Sequence, residues 1–161
     1  MYRDAIISDD KLYRWRLDRI WDMPKGLVLF VMLNPSIADS EVDDATVRRC
    51  MKFAYNWGFG GIVVVNLFAY RSTNPDKLLE VEDPVGQHND LWISNAVFEA
   101  KRVVLAWGAL PQKLSRMSIS TRARLQDEGL PACLGKTKAG YPRHPLYVAG
   151  KQQLIPWRET S

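Results

Sequence analysis

The chain has 161 residues, of which 47% are hydrophobic and 25% charged, a balance that excludes a disordered or fibrous protein and suits a single domain over residues 1–161. Its longest purely apolar stretch, Leu27 to Leu33, is far short of the roughly 20 residues that a membrane-spanning helix needs. The net charge of +4 conceals an asymmetry: residues 1–100 carry 11 Lys/Arg against 15 Asp/Glu, and residues 101–161 carry 11 against 3.

In chain order, Ala5–Ser8 and Leu12–Leu17 around Asp9-Asp10-Lys11 read as a short hairpin. The run GLVLFVML (Gly26–Leu33) is the pattern of a strand covered on both faces, and it stops at Asn34-Pro35-Ser36. A helix is expected next. Asp43 or Asp44 is placed to cap it, Val47, Cys50, Met51 and Ala54 fall at helical spacing, and Gly58 stops it. GIVVVNLF (Gly61–Phe68) repeats the buried-strand pattern, and Pro75 and Pro84 mark a loop region. Asn89–Ala100 reads as a second helix, Arg102–Gly108 as a third buried strand, and residues 111–128 as a weaker helix opened by Pro111. Pro131–Leu134 is a short fourth strand, followed by a Gly/Pro-rich tail.

Buried strands alternating with helices predict an α/β fold of three layers, with a central, mostly parallel four-stranded sheet and the N-terminal hairpin beside it. In such sheets ligands bind beyond the carboxyl ends of the strands. The residues expected there are Asn34-Pro35, Asn66-Leu67, Trp107-Gly108 and His144-Pro145, so two amides and an imidazole share one crevice.

Each of these residues has a plain reading beside the functional one. Asn34 precedes a proline, so it either stabilises a turn through its own backbone or presents its amide to a ligand. Asn66 sits in an apolar run, where an unpaired amide costs roughly 1–3 kcal/mol, so it needs a neighbouring loop or a ligand as partner. His144 lies in a Gly/Pro-rich segment and is a loop residue or a site residue; His88 is a helix cap or a surface residue. The acids Asp39, Glu41, Asp43 and Asp44 could gather a divalent cation, but acids before a helix are favoured by capping and the helix dipole without one. Cys50 and Cys133 stand without CxxC or metal-ligand spacing, and the opening MYRDAIISDD carries acids where an export signal has an apolar run. Free buried thiols in a reducing, cytoplasmic environment are expected.

The strings MLNPSIAD (32–39), DDATVRR (43–49), WGFGGIVVVNLFAYR (57–71), Asn89-Asp90, VLAWG (104–108) and GYPRHPLYV (140–148) resemble the bacterial and phage domain of unknown function 1643 family, over residues from about Tyr13 to Trp157. That family is in turn similar to the uracil-DNA glycosylase superfamily. The resemblance implies a uracil-DNA glycosylase-like fold in which Asn34 of Met32-Leu33-Asn34-Pro35 positions an attacking water, Asn66 reads the base, and His144 of Arg143-His144-Pro145 stabilises the departing base. Met32 stands where one branch of the superfamily has glycine, Leu146-Tyr147-Val148 replaces a serine-rich continuation, and no acid occupies position 34.

The implied activity is hydrolysis of an N-glycosidic bond in DNA or a nucleotide, without metal or organic cofactor. Tyr147 is expected to stack on the base, with Phe68 as a core-forming alternative. Arg143, Lys151, Lys136 and Lys138 are expected to contact phosphates. Two other functions fit the same residues: a base- or nucleotide-binding module without hydrolysis, and a module that binds nucleic acid or an acidic protein through its basic C-terminal surface.

Overall fold

A computed structural model describes residues 1–158. Seven strands form one mixed sheet: β1 (Tyr2–Ile7), β2 (Arg14–Ile20), β3 (Leu27–Met32), β4 (Gly61–Asn66), β5 (Arg102–Leu105), β6 (Ala132–Cys133) and β7 (Ile155–Pro156), in the spatial order β1-β2-β4-β3-β5-β6-β7. The pairs β3–β4, β3–β5 and β5–β6 are parallel, and β1–β2, β2–β4 and β6–β7 antiparallel. The expectation of a mostly parallel four-stranded sheet with a separate hairpin is thereby corrected: the sheet has seven strands, and half of its pairings are antiparallel. Residues Leu17–Ile20 of β2 lie in register with Gly61–Val64 of β4, so the hairpin is part of the sheet. The tail supplies a further strand, Ile155–Pro156, which pairs antiparallel with Ala132–Cys133.

Helices cover both faces. The first, α1 (Ala45–Asn56), begins where the Asp44 carboxylate accepts the Val47 backbone N–H at 2.8 Å, the expected capping bond. Its buried residues Val47, Cys50, Phe53 and Ala54 pack with Val28, Phe30, Ile62 and Val64 of the sheet. On the other face, α2 (Asn89–Glu99), α3 (Gln112–Met117) and α4 (Ile119–Gly129) set Ile93, Ala96, Leu114 and Leu125 against Leu29, Val31, Val63 and Val65. Successive residues of β3 and β4 thus enter opposite cores, which is why those segments are apolar throughout.

The predicted helix over 111–128 is two helices. Ser118 separates them, and its hydroxyl donates back to the Leu114 carbonyl at 2.8 Å, a bond that competes with the helical ladder. Just before β4, Gly60 allows close backbone approach: a Cβ there would lie 1.5 Å from the Asp22 carbonyl oxygen.

The connection β3–α1–β4 crosses one face, whereas β4–α2–β5 crosses the other and leads to the far side of β3. The chain therefore changes direction at the carboxyl ends of β3, β4 and β5, which leaves a crevice there. No helix of the described residues is long and apolar enough to cross a membrane.

Candidate functional site

The crevice is a cavity of about 510 Å³, within the roughly 300–1,000 Å³ common for small-molecule sites. It is lined by the end of β3 and the loop after it, the start of α1, the end of β4, Trp107 and Gly108 beyond β5, and the segment that contains Arg143, His144 and Tyr147. Asn34, Asn66 and His144 all line it.

Asn34 combines both of its readings. Its Nδ2 donates to the Pro35 carbonyl at 3.1 Å and to the Ser72 carbonyl at 3.0 Å. The turn is closed further by the Ser72 N–H on the Pro35 carbonyl at 2.9 Å and by Arg71 Nε on the Ser36 carbonyl at 3.2 Å. Two carbonyl acceptors fix which end of the amide is nitrogen, so the group left for a ligand or water is the acceptor Oδ1.

Asn66 closes β4 and is 1% exposed, and neither its Nδ2 nor its Oδ1 has a partner among the described residues. A neighbouring loop is therefore not its partner. Its backbone is held instead: Asn89, at the start of α2, donates Nδ2 to the Asn66 carbonyl at 2.8 Å and to the Leu67 carbonyl at 3.3 Å. Two orphaned amide atoms destabilise the free protein. Replacing Asn66 with leucine, similar in size and apolar, is expected to raise stability by on the order of 1–3 kcal/mol. Denaturant titration measures this, and a loss of stability in Asn66→Leu would contradict the orphaned state.

His144 precedes a short 3-10 turn, Pro145–Tyr147, and its Nδ1 accepts the Leu146 N–H at 3.2 Å. Nδ1 is then unprotonated, and the neutral ring carries its proton on Nε2, which makes it a donor. Burial lowers the His144 pKa below the ordinary 6.5, with the Asp44 charge opposing. The segment is clamped from α1: Arg49 donates Nε to the Pro145 carbonyl at 3.2 Å and Nη2 to the Val148 carbonyl. It is anchored to β5 where Gly108, at φ +74°, donates its N–H to the Pro142 carbonyl at 2.9 Å.

The Tyr147 ring is 76% exposed and lies 5.4 Å from the His144 ring at the cavity wall. Phe68 is fully buried in the core under α2. Of the basic residues, Arg143 lines the cavity and donates Nε to the Lys136 carbonyl at 3.1 Å. Lys136, Lys138 and Lys151 do not line it. The Lys136 ammonium sits 4.7 Å from the Trp157 ring centroid and donates to the Arg158 carbonyl, whereas Lys138 and Lys151 are exposed.

The acidic run has local partners. Asp39 accepts the Glu41 and Val42 N–H groups, bonds that hold its pKa below the usual carboxylate range, Asp43 accepts from Arg3 and Arg19, and Asp44 caps α1. Cys50 and Cys133 are buried free thiols, and burial pushes the Cys50 thiol pKa far up. His88 is exposed and left-handed at φ +64°, with no side-chain cap.

Three residues escape a linear reading: Arg14 in the cavity, and Asn89 and Arg49 behind it. Asn89 and Arg49 do fall within strings that carry the family resemblance, whereas Arg14 has no such signal. Residues 14–146 match the family model described as "Protein of unknown function (DUF1643)". No curated protein and no solved structure matches the chain.

Proposed function

The chain belongs to the DUF1643 family, and on that premise we propose that it hydrolyses the N-glycosidic bond of a base, in DNA or in a nucleotide, with chemistry and fold similar to those of the uracil-DNA glycosylases. The observation that carries this reading is Asn66, a buried carboxamide with donor and acceptor both unpaired among the described residues, in a cavity that it shares with Asn34 and His144. A carboxamide matches the paired donor and acceptor on the edge of a nucleobase.

Breaking the bond moves electrons from the sugar carbon onto the base, leaving positive charge on the sugar and negative charge on the base. His144, neutral with a proton on Nε2, is suited to donate a hydrogen bond where that negative charge gathers. Asn34 has only its Oδ1 to offer, which accepts a bond from water and holds it but is too weak a base to deprotonate it. Tyr147 provides an exposed ring on which an extruded base stacks. Of the four basic residues expected at phosphates, Arg143 is the one that lines the cavity.

The lack of a carboxylate at position 34 favours a second reading, a module that binds a base or nucleotide without turnover. One screen separates the two: purified protein against DNAs and nucleotides carrying uracil and modified bases, with released base detected by mass and abasic sites by alkali. Free base supports hydrolysis. Saturable binding with no release supports the binding module. Binding that falls steeply with salt and does not respond to Asn34→Ala or Asn66→Leu overturns both in favour of a polyanion surface.

A further inference from the structure

Arg14 opens β2 and is 2% exposed, yet it lines the cavity. Its Nη1 donates to the Ala38 carbonyl at 3.1 Å, and its Nε is buried without a partner. A guanidinium carries five N–H donors, and the Ala38 bond is the one its side chain makes among the described residues. Nor does it form an ion pair among them. Its charged surroundings are Asp44 and Asp39 on one side of the balance and Arg71 and Arg19 on the other. Asp44, which also lines the cavity, acts most strongly of the four, yet neither it nor Asp39 pairs with the guanidinium among the described residues. Burial lowers its pKa only to about 10, which keeps it cationic at neutral pH.

A buried cation held by one neutral carbonyl is costly to the fold and strongly attractive to an anion. Asn66, 1% exposed, lines the same cavity, whose wall also includes the apolar Met32, Val47, Cys50 and Val64 and the carboxylate of Asp44. The cavity thus offers a buried amide and a buried cation to one ligand.

We propose that Arg14 is an oxyanion site, taking a carboxylate or phosphate borne by the same ligand whose base edge meets Asn66. The proposal rests on the base-recognition reading for its partner group. The oxyanion has two possible sources. A carboxylate on the base itself is compatible with DNA as well as with a free nucleotide. A phosphate reaching Arg14 belongs to a free nucleotide, because the phosphodiesters of a polymer are tied to its backbone on either side.

Calorimetric titration with two pairs of probes tests this: uracil against uracil carrying a carboxylate on C5, and deoxyuridine against its 5′-monophosphate. In one pair the anionic member is expected to bind the wild-type protein at least about tenfold tighter, and the pair that responds identifies the source. Arg14→Gln should remove that preference while leaving the neutral member bound. Equal affinities within both pairs, or a preference that survives in Arg14→Gln, overturn the site. If Arg14→Gln does not fold, the Nε–H resonance of Arg14 in the wild-type protein decides the matter: the anionic member must shift it and the neutral member must not, and an unmoved resonance overturns the site in favour of Arg143. Inorganic phosphate, followed through the Nε–H resonance of Arg14, separates the two readings. If it shifts that resonance while neither neutral probe binds, the oxyanion site stands and base recognition fails. If the neutral probes bind and are lost in Asn66→Leu but no anion matters, base recognition stands and the oxyanion site fails.

Discussion

Asp43→Ala is expected to destabilise the protein by about 3 kcal/mol, the lower end of the range for leaving a buried charge without its counterion. Arg19 is 0% exposed, in the middle of the sheet region formed by β2 and β4. Its Nε donates to the Asp43 carboxylate at 2.8 Å, and its Nη groups donate to the carbonyls of Asp18, Asp39 and Val42. These carbonyls remain after the substitution, which places the cost at the low end. Asp43 also accepts from Arg3 of β1 at 2.8 Å, so one carboxylate ties the edge hairpin to the loop before α1. Denaturant titration of Asp43→Ala gives the number. A loss below about 1 kcal/mol would mean that the carbonyls alone satisfy Arg19, as for an exposed pair.

The same bond has a pH signature. Burial would raise the Asp43 pKa, but the bonds from Arg19 and then Arg3 outweigh it and hold the carboxyl below the ordinary 3.8. A carboxylate with a depressed folded pKa contributes stability that is complete above its unfolded value and is lost as pH falls through the folded one. The contribution should therefore disappear below pH 3.8, and Asp43→Ala should flatten that part of the stability profile.

His144→Ala is expected to lower turnover by about 10²–10³-fold, the usual cost of removing one preorganised donor to a developing oxyanion. Base binding through Asn66 should persist. The acid limb of the pH profile follows from the same ring. Its folded pKa lies below 6.5 because burial disfavours the charged form, so the neutral donor dominates at neutral pH. As pH falls through that lowered value, the proton goes to Nδ1, the bond from the Leu146 N–H at 3.2 Å is lost, and turnover falls. Stability shares the sign: the unfolded chain takes up the proton first, so stability is unaffected above pH 6.5 and decreases as pH drops toward the folded value. Following the imidazole by NMR beside the rate profile checks both. Undiminished turnover in His144→Ala, or an imidazole titrating above pH 6.5, would remove His144 from the proposed chemistry.

The local elements were readable because their causes are local. LVLFVM and GIVVVN are continuous apolar runs because their alternate residues enter two cores, and the α1 helix carries its cap and its stop in Asp44 and Gly58. Ser118, which divides the last helical stretch, was equally local in cause but gave no change of pattern, since its hydroxyl acts on a carbonyl one turn back. The carboxyl-end rule also brings Asn34, Asn66 and His144 to one crevice, and all three line the cavity.

Tertiary structure decided the rest. Whether Asn34 served the turn or a ligand depended on Ser72, 38 positions away, whose carbonyl takes one end of the amide and leaves the other. Asn66 stands out in sequence only as a polar residue in an apolar run; in the fold Asn89 bonds its backbone carbonyl, and no described residue meets its side chain. Arg14 and Arg19 look alike in a strand rich in charge, yet Arg19 meets a carboxylate and Arg14 meets the cavity. Residue type and spacing determine which segments become strands and helices, because those preferences act over a few residues. Whether a buried polar group finds its partner is settled by residues brought from elsewhere in the chain, and on that accounting the candidate site depends.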